Sequence, residues 1–536
     1  MPRIKSWVWP AAVAGLLAIA GIGVTQTFWE GWRPVRVILV DDAMISMTFA
    51  RSLAEGCGLV WYCGYPRVEG FTNLGWTIYM AFWHVLGIPP EFTSVPILLT
   101  GLLLLGLYIR GVYWLGEREG GAGVGTWAAW IAALFPPVLF HFTSGLEAAA
   151  LAVFLVYFWL ELLGKGRWWV LALLASVGTF LRMDFVGWVG AMGLVGFLPG
   201  SVLAHRRKAL LASLLVGLAV AGLTTLWRYF YYGAWVPNTY VLKVQAVPSG
   251  LRWANGAIAT LMHVGMNLPL YALAGWGLWR QRTQIARVMP ALALVAASFL
   301  YNVHVGGDIF ENSMNSNRFL LNSFVVGFLF AAEGLISLSA SWLRWTVVAL
   351  ISYGLPLSPT FLYRWKLFFT QGKKEYYAPI DRYFSPGDTL YIGPAGTVPY
   401  FFRQYVWRDL LGKVDVKTAR EGHFLTCNGR PPLLYWTGHT RIDIQGLLTQ
   451  AKGCVGWFRD VPPDWCSRTD PPVSLQDYWW KKYVSLINPC HGSRPAFWDV
   501  FPSDSLKRCF CKQFAPIVIE NKIYHWRRVR PPGTCE

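Results

Sequence analysis

Two adjacent carboxylates, Asp41-Asp42, follow the apolar run Val35-Arg-Val-Ile-Leu-Val and open a stretch, residues 43–55, whose Met44, Met47, Leu53 and Ala54 suit one face of a helix lying on a membrane. One job for such a pair is to complement a helix N-terminus. The other is proton abstraction: a carboxylate at the lip of a bilayer can act as general base on a hydroxyl presented to a lipid-borne substrate. Three cations stand in comparable positions. Arg182, with Asp184 beside it, ends one apolar run; Lys243 follows Pro237-Asn238-Thr239-Tyr240; Arg318 begins another run. Each could simply snorkel to the membrane boundary. Together they have the chemistry to hold a lipid phosphodiester in a low-dielectric mouth, where charge growing on a departing phosphate would be stabilised. Asn238 and Tyr240 are candidate partners in that donor site.

Glu147 opens a further apolar run, where it can complement a helix dipole or bind substrate. Asp308, near His304, could hold a sugar hydroxyl or ligate a divalent metal; nothing in the sequence requires a cofactor. There is no GxGxxG loop, no Walker motif and no Gx-Ser-xG elbow, so nucleotide binding and serine hydrolysis lack support.

The elements that must carry these residues are set by composition. Of 536 residues, 54% are hydrophobic and 14% charged, against about 25% charged in soluble domains. Apolar runs of membrane-crossing length recur near 7–25, 92–114, 122–140, 147–163, 168–181, 184–204, 208–229, 256–279, 287–304, 319–339 and 342–358, which predicts about eleven transmembrane helices. A shorter apolar piece at 71–87 is ambiguous: a tail on the outer side requires either that it dips without crossing or that one other span is divided differently. Arg110, Arg118, Lys165, Arg167, Arg206, Arg207, Lys208, Arg280, Arg282 and Arg287 are assigned to alternate, cytoplasmic loops, which leaves the chemically interesting loops and the tail outside.

After about residue 359 short runs such as Thr389-Leu-Tyr-Ile-Gly alternate with turn residues, predicting an α/β or β-rich domain over 359–536 behind a membrane domain over 1–358. Of nine cysteines, Cys57 and Cys63 lie in the first loop and seven lie in the tail, a partition that suggests disulfides in an oxidising compartment with at least one thiol left over. The formal net charge of +18 is spread through short loops and the tail without a basic run interleaved with aromatics, which argues against nucleic acid as partner.

The ordered set Asp41-Asp42-Ala-Met-Ile-Ser-Met-Thr-Phe-Ala-Arg51, Arg67-Val-Glu-Gly-Phe-Thr-Asn-Leu-Gly-Trp76, Ser144-Gly-Leu-Glu147, Leu181-Arg-Met-Asp184, Tyr232-Gly-Ala-Trp-Val-Pro-Asn-Thr-Tyr240 and Gly306-Gly-Asp308 with Arg318-Phe-Leu320 resembles bacterial membrane glycosyltransferases of the GT-C superfamily, in particular mycobacterial terminal β-(1→2)-arabinofuranosyltransferases. The tail shares less, through residues 393–400 and 408–415. The resemblance implies a polytopic α-helical membrane enzyme that moves a sugar, first of all arabinofuranose, from a polyprenyl-phosphate donor to a glycan or glycoprotein acceptor on the outer face of the plasma (inner) membrane. It implies an aspartate base, mapped to Asp41 with Asp42 as neighbour. Arg67, Glu69, Thr72 and Asn73 match the family's Val-Glu-Gly-Tyr-Thr region and imply substrate binding, with Phe71 in place of the usual Tyr; Met183-Asp184 stands where Pro-Glu or Pro-Asp is common, and residues 311–317 replace a shorter link. Against this stand two other classes. A transporter or flippase of lipid-linked sugars would want charges in mid-span and an inverted repeat. A glycan-binding receptor, with the tail as its glycan-binding domain, would not need so many spans.

Overall fold

The computed structural model describes residues 6–30, 33–282, 285–308, 317–353, 380–424, 435, 437–455, 466, 504–519 and 522–532. The link at 311–316, and Cys427, Cys490 and Cys535, lie outside these residues.

Sixteen α-helices precede residue 354 among the described residues. They are α1 (Val8–Thr25), α2 (Asp41–Ala54), α3 (Leu74–Val85), α4 (Ser94–Glu119), α5 (Val124–Leu134), α6 (Pro136–Thr143), α7 (Ala148–Leu163), α8 (Trp168–Leu181), α9 (Phe185–Phe197), α10 (Arg207–Tyr232), α11 (Asn238–Tyr240), α12 (Ser249–Met266), α13 (Leu268–Arg280), α14 (Ile285–Val305), α15 (Leu321–Ile336) and α16 (Ser341–Tyr353). A hairpin of β1 (Thr27–Glu30) and β2 (Arg33–Val37) separates α1 from α2.

Against the expected eleven crossings, four helices among the described residues have the length and apolarity to span a membrane unaided: Val8–Thr25, Ser94–Glu119, Ala204–Tyr232 and Val288–Val305. Two runs that read as single spans in the sequence are broken, α5 from α6 by 65° and α12 from α13 by 82°, so six spans result if each bent pair crosses as one. Pro136 supplies the first break, because proline drives the residue before it out of the helical region and Phe135 takes φ −87°, ψ 110°. Four further apolar helices, α7, α8, α9 and α15, are 13 to 16 residues long. Arg110 and Arg118, expected in a loop, lie on α4 itself, where they reach the Tyr157 hydroxyl and the Leu160 carbonyl of α7. The 71–87 piece forms α3, whose twelve residues cover about 18 Å at 1.5 Å per residue, short of the roughly 30 Å hydrocarbon thickness.

The outward faces of the long helices are oily. Leu103 on α4, Leu223 and Phe230 on α10 and Leu300 on α14 are 64–82% exposed, while alanines and glycines fill the helix contacts. Such a surface is stable against lipid and unstable against water, which makes the helical region that of a membrane protein.

The tail carries a five-stranded mixed sheet in the order β4-β3-β7-β9-β8, built from β3 (Thr389–Ile392), β4 (Val406–Asp409), β7 (Gly453–Val455), β8 (Phe514–Ile519) and β9 (Lys522–Arg528). β3 pairs in parallel with β4 and β7; β9 pairs antiparallel with β7 and β8. The all-buried Leu390-Tyr-Ile of β3 fits a central strand covered on both faces. A small pair, β5 (His423–Phe424) and β6 (Arg441–Ile442), stands apart. Disulfides join Cys57 to Cys63 and Cys466 to Cys511, and Cys454 is a free, buried thiol.

The tail is stitched to α2 and the loop after it. Trp61 Nε1 donates to the Ala395 carbonyl at 3.0 Å, Tyr62 Oη to Trp407 at 3.1 Å, Arg51 to Tyr400 at 2.7 Å and Arg403 to Thr48 at 3.1 Å. At residue 396 a Cβ would lie 2.1 Å from the Asp41 carbonyl oxygen, so only glycine lets the two backbones approach this closely.

Candidate active site

α2 begins at Asp41 with Val40 at its N-cap and no side-chain cap. Consecutive helical residues point about 100° apart. The doublet is therefore split. Asp41 faces the tail and accepts backbone N–H bonds from Thr397 at 2.8 Å and Gly396 at 3.3 Å. Asp42 faces an open cavity lined by α2, the 70–73 segment, the start of α7, the ends of α8 and α11, the start of α15 and two loops of the tail.

Asp42 is bracketed by cations: Arg318 at 3.1 Å on one carboxylate oxygen and Lys413, from the tail, at 3.1 Å on the other. Arg318 also grips Asp308, through its guanidinium at 3.0 Å and its backbone N–H at 3.2 Å. A second network lies alongside. Arg182 pairs with Glu147 at 2.9 Å and with Asp184; Asn73 donates to Glu147 at 2.8 Å and accepts from Ser46 at 3.0 Å. Lys243 lies over the Phe319 ring, 5.5 Å from its centroid, and takes part in none of the cavity's ion pairs.

Burial opposes ionisation of Asp42, but Lys413, Arg318 and Lys243 outweigh it and hold the carboxyl below the ordinary aspartate range. Burial raises Asp41, only partly offset by Lys413 and the Thr397 N–H. Lys243 is lowered to about 8 by burial, then by Arg318. His439 is lowered to about 3, first by burial and then by Lys413, so it is neutral; its Nδ1 donates to the Thr437 carbonyl at 3.3 Å.

Thus Asp42, Thr72, Asn73, Glu147, Arg182, Lys243 and Arg318 line one cavity, with Asp184 and Asp308 bonded directly to its arginines. Asp41, Arg67, Glu69, Asn238, Tyr240 and His304 do not line it. Arg67 lies over Tyr231, 4.7 Å from the ring centroid, and Glu69 is buried in an ion pair with Arg228 of α10. His304 Nε2 and the Tyr240 hydroxyl face each other at 3.5 Å on the exposed side. Asn238 instead anchors the tail: its side-chain amide donates to the carbonyls of Gly412, Lys413 and Asp415. Among the described residues, no group of three or more His, Cys, Asp or Glu side chains could hold a metal.

Lys413, His439 and Ser46 were not singled out from the sequence. A signal for Lys413 existed in the tail segment 408–415, where Asp409 and Asp415 flank it around Gly412.

No protein-family model and no curated protein matches the chain. Solved structures to which the chain is similar include the following three. A crystal structure of the Archaeoglobus fulgidus oligosaccharyltransferase tethered with an acceptor peptide aligns with a TM-score of 0.44 and 11% identity over 76% of this chain; the chain spans 64% of that protein's length. The oligosaccharyltransferase AglB of the same organism, in complex with an inhibitory peptide and a dolichol-phosphate, gives 0.48 and 12% over 97% of this chain and 88% of AglB. ArnT from Cupriavidus metallidurans bound to undecaprenyl phosphate gives 0.49 and 12% over 84% of this chain and 93% of ArnT. With TM-scores under 0.5 these likenesses carry no functional assignment, and the chemistry has to be read from the cavity.

Proposed function

We propose that this chain is a membrane glycosyltransferase of the GT-C kind, which moves a sugar from a polyprenyl-phosphate donor to a hydroxyl of a glycan or glycoprotein acceptor. The observation that carries the reading is the opposition, inside one cavity, of Asp42 to Arg182, Lys243, Arg318 and Lys413. An inverting transfer needs those two things side by side: a base for the acceptor hydroxyl and fixed positive charge for the departing phosphate.

In this reading Asp42 takes the proton of the acceptor hydroxyl, and Asp41 docks the tail. Lys243 receives the phosphate, whose charge grows as the glycosidic bond breaks, and the cavity's arginines add fixed positive charge beside it, so the phosphate is stabilised in the transition state more than in the bound donor. Glu147 and Asn73 offer acceptor atoms to sugar hydroxyls. Arabinofuranose is the first donor sugar to try, on the strength of the sequence resemblance; the same resemblance makes the plasma membrane, with the cavity and the tail on the outer side, the setting proposed here.

The test is to incubate the purified protein with a panel of polyprenyl-phosphate sugars and acceptor glycans and to follow product by mass. Asp42→Asn should remove at least about a hundredfold of the rate, the usual reach of a general base, without altering the fold. Full transfer by that variant, or consumption of no donor in the panel by the native protein, would refute the assignment.

A further inference from the structure

The cations of the cavity are not equally available to an incoming phosphate. Arg182 is held by two carboxylates, Glu147 and Asp184, and Arg318 by two others, Asp42 and Asp308. Withdrawing either arginine would break two buried ion pairs at once, which is strongly unfavourable. Lys413 differs. Its ion pair is with Asp42, which Arg318 also holds, so Lys413 can leave without leaving Asp42 unpaired.

The backbone under Lys413 is fixed. Asp409 accepts the N–H groups of Leu411 at 2.9 Å and Val414 at 2.7 Å, and Asn238 of α11 takes the carbonyls of residues 412, 413 and 415. Gly412 turns the chain with φ +78°. Motion is thus confined to the flexible four-carbon side chain, whose ammonium lines the same cavity as Lys243.

Resting on the transferase reading, we propose that Lys413 is a phosphate-binding group that exchanges partners: it occupies one oxygen of Asp42 in the empty site and passes to the donor phosphate when the lipid enters, which frees that oxygen for the acceptor hydroxyl. No proton moves in the exchange; one ammonium–carboxylate contact is replaced by one ammonium–phosphate contact. A carboxylate bracketed by two cations is a poor base, because an arriving proton must compete with both. Donor binding therefore switches the base on, and the tail, which carries Lys413, becomes part of the switch.

The test measures affinity of the full-length protein in detergent for farnesyl phosphate, which needs no turnover. Lys413→Met should weaken binding about tenfold or more, the usual worth of a charge-assisted bond, and Lys413→Arg should restore most of it. Asp42→Asn should tighten binding several-fold by releasing Lys413, and this gain should shrink to near nothing in the Asp42→Asn/Lys413→Met double variant. Unchanged binding by Lys413→Met, or equal gains from Asp42→Asn with and without Lys413, would overturn the exchange. Those outcomes leave the transferase reading standing as long as the native protein binds the probe and transfers sugar. An intact coupling with no sugar transfer would sink the transferase reading alone, and no binding by the native protein would sink both.

Discussion

Among the described residues Lys243 is the cavity cation that makes no ion pair, and its ammonium titrates near 8 because burial and Arg318 disfavour the charged form. A lowered lysine is cationic below its own value and neutral above it, so donor KM should rise as pH climbs past about 8 in the native enzyme. Lys243→Arg, which stays charged, should keep donor KM flat to pH 9. Steady-state kinetics across that range decides it. His439 gives a stability effect of the other kind. Its folded value, about 3, is below the ordinary 6.5, so between those limits the unfolded chain binds more protons and stability rises with pH. The melting temperature should fall as pH drops from 6.5 towards 4, and His439→Gln should remove part of that slope. The sequence made Asp41-Asp42 conspicuous as a pair and the resemblance assigned the base to Asp41, whereas it is Asp42 that lines the cavity. That choice depends on where α2 starts, a matter of one residue and about 100° of rotation, and helix starts are the least legible part of a sequence.

The buried pair Glu69–Arg228 does for the 67–73 segment what a covalent tie would. Arg228 lies on α10, Glu69 precedes the cavity residues Thr72 and Asn73, and both side chains are no more than 3% exposed. The Glu69 carbonyl also accepts the Asn238 N–H at 3.0 Å, so α10, the 67–73 segment and α11 are locked together. Arg228→Met alone should cost about 3–5 kcal/mol, because it leaves a buried carboxylate unpaired, whereas Glu69→Gln/Arg228→Met should recover much of that loss. Thermal unfolding of the four proteins of this cycle in detergent gives the coupling, and a double variant that loses the full sum of the two single losses would show that the pair does not hold the segment. At this scale the sequence was readable in its apolar runs and misleading in their continuity. α5 and α6 form one apolar stretch, yet Pro136 breaks it, and the run over 256–279 divides into α12 and α13, bent by 82°.

The cavity is complete only where two parts of the chain meet. Lys413 reaches Asp42 across 371 positions, and residues 437–439 close the same wall. Local periodicity cannot announce such a meeting, because each half of the contact looks ordinary alone: a lysine in a turn, an acid at a helix start. The closest approach is at Gly396, whose backbone N–H meets the Asp41 carboxylate while its α-carbon faces the Asp41 carbonyl and the N–H of Ile45. A methyl group there would sit 2.1 Å from that carbonyl oxygen and 2.8 Å from that nitrogen, both backbone atoms that no rotamer change can move aside. Gly396→Ala must therefore push the tail off the first turn of α2, and with it the shared bonds to Thr397, Thr48 and Tyr400. The expected result is a lowered melting temperature, loss of most sugar transfer and faster hydrogen exchange at both contacting segments, with α-helical circular dichroism kept. If Gly396→Ala instead transfers sugar at the native rate, the tail does not have to seat on α2 for the cavity to work.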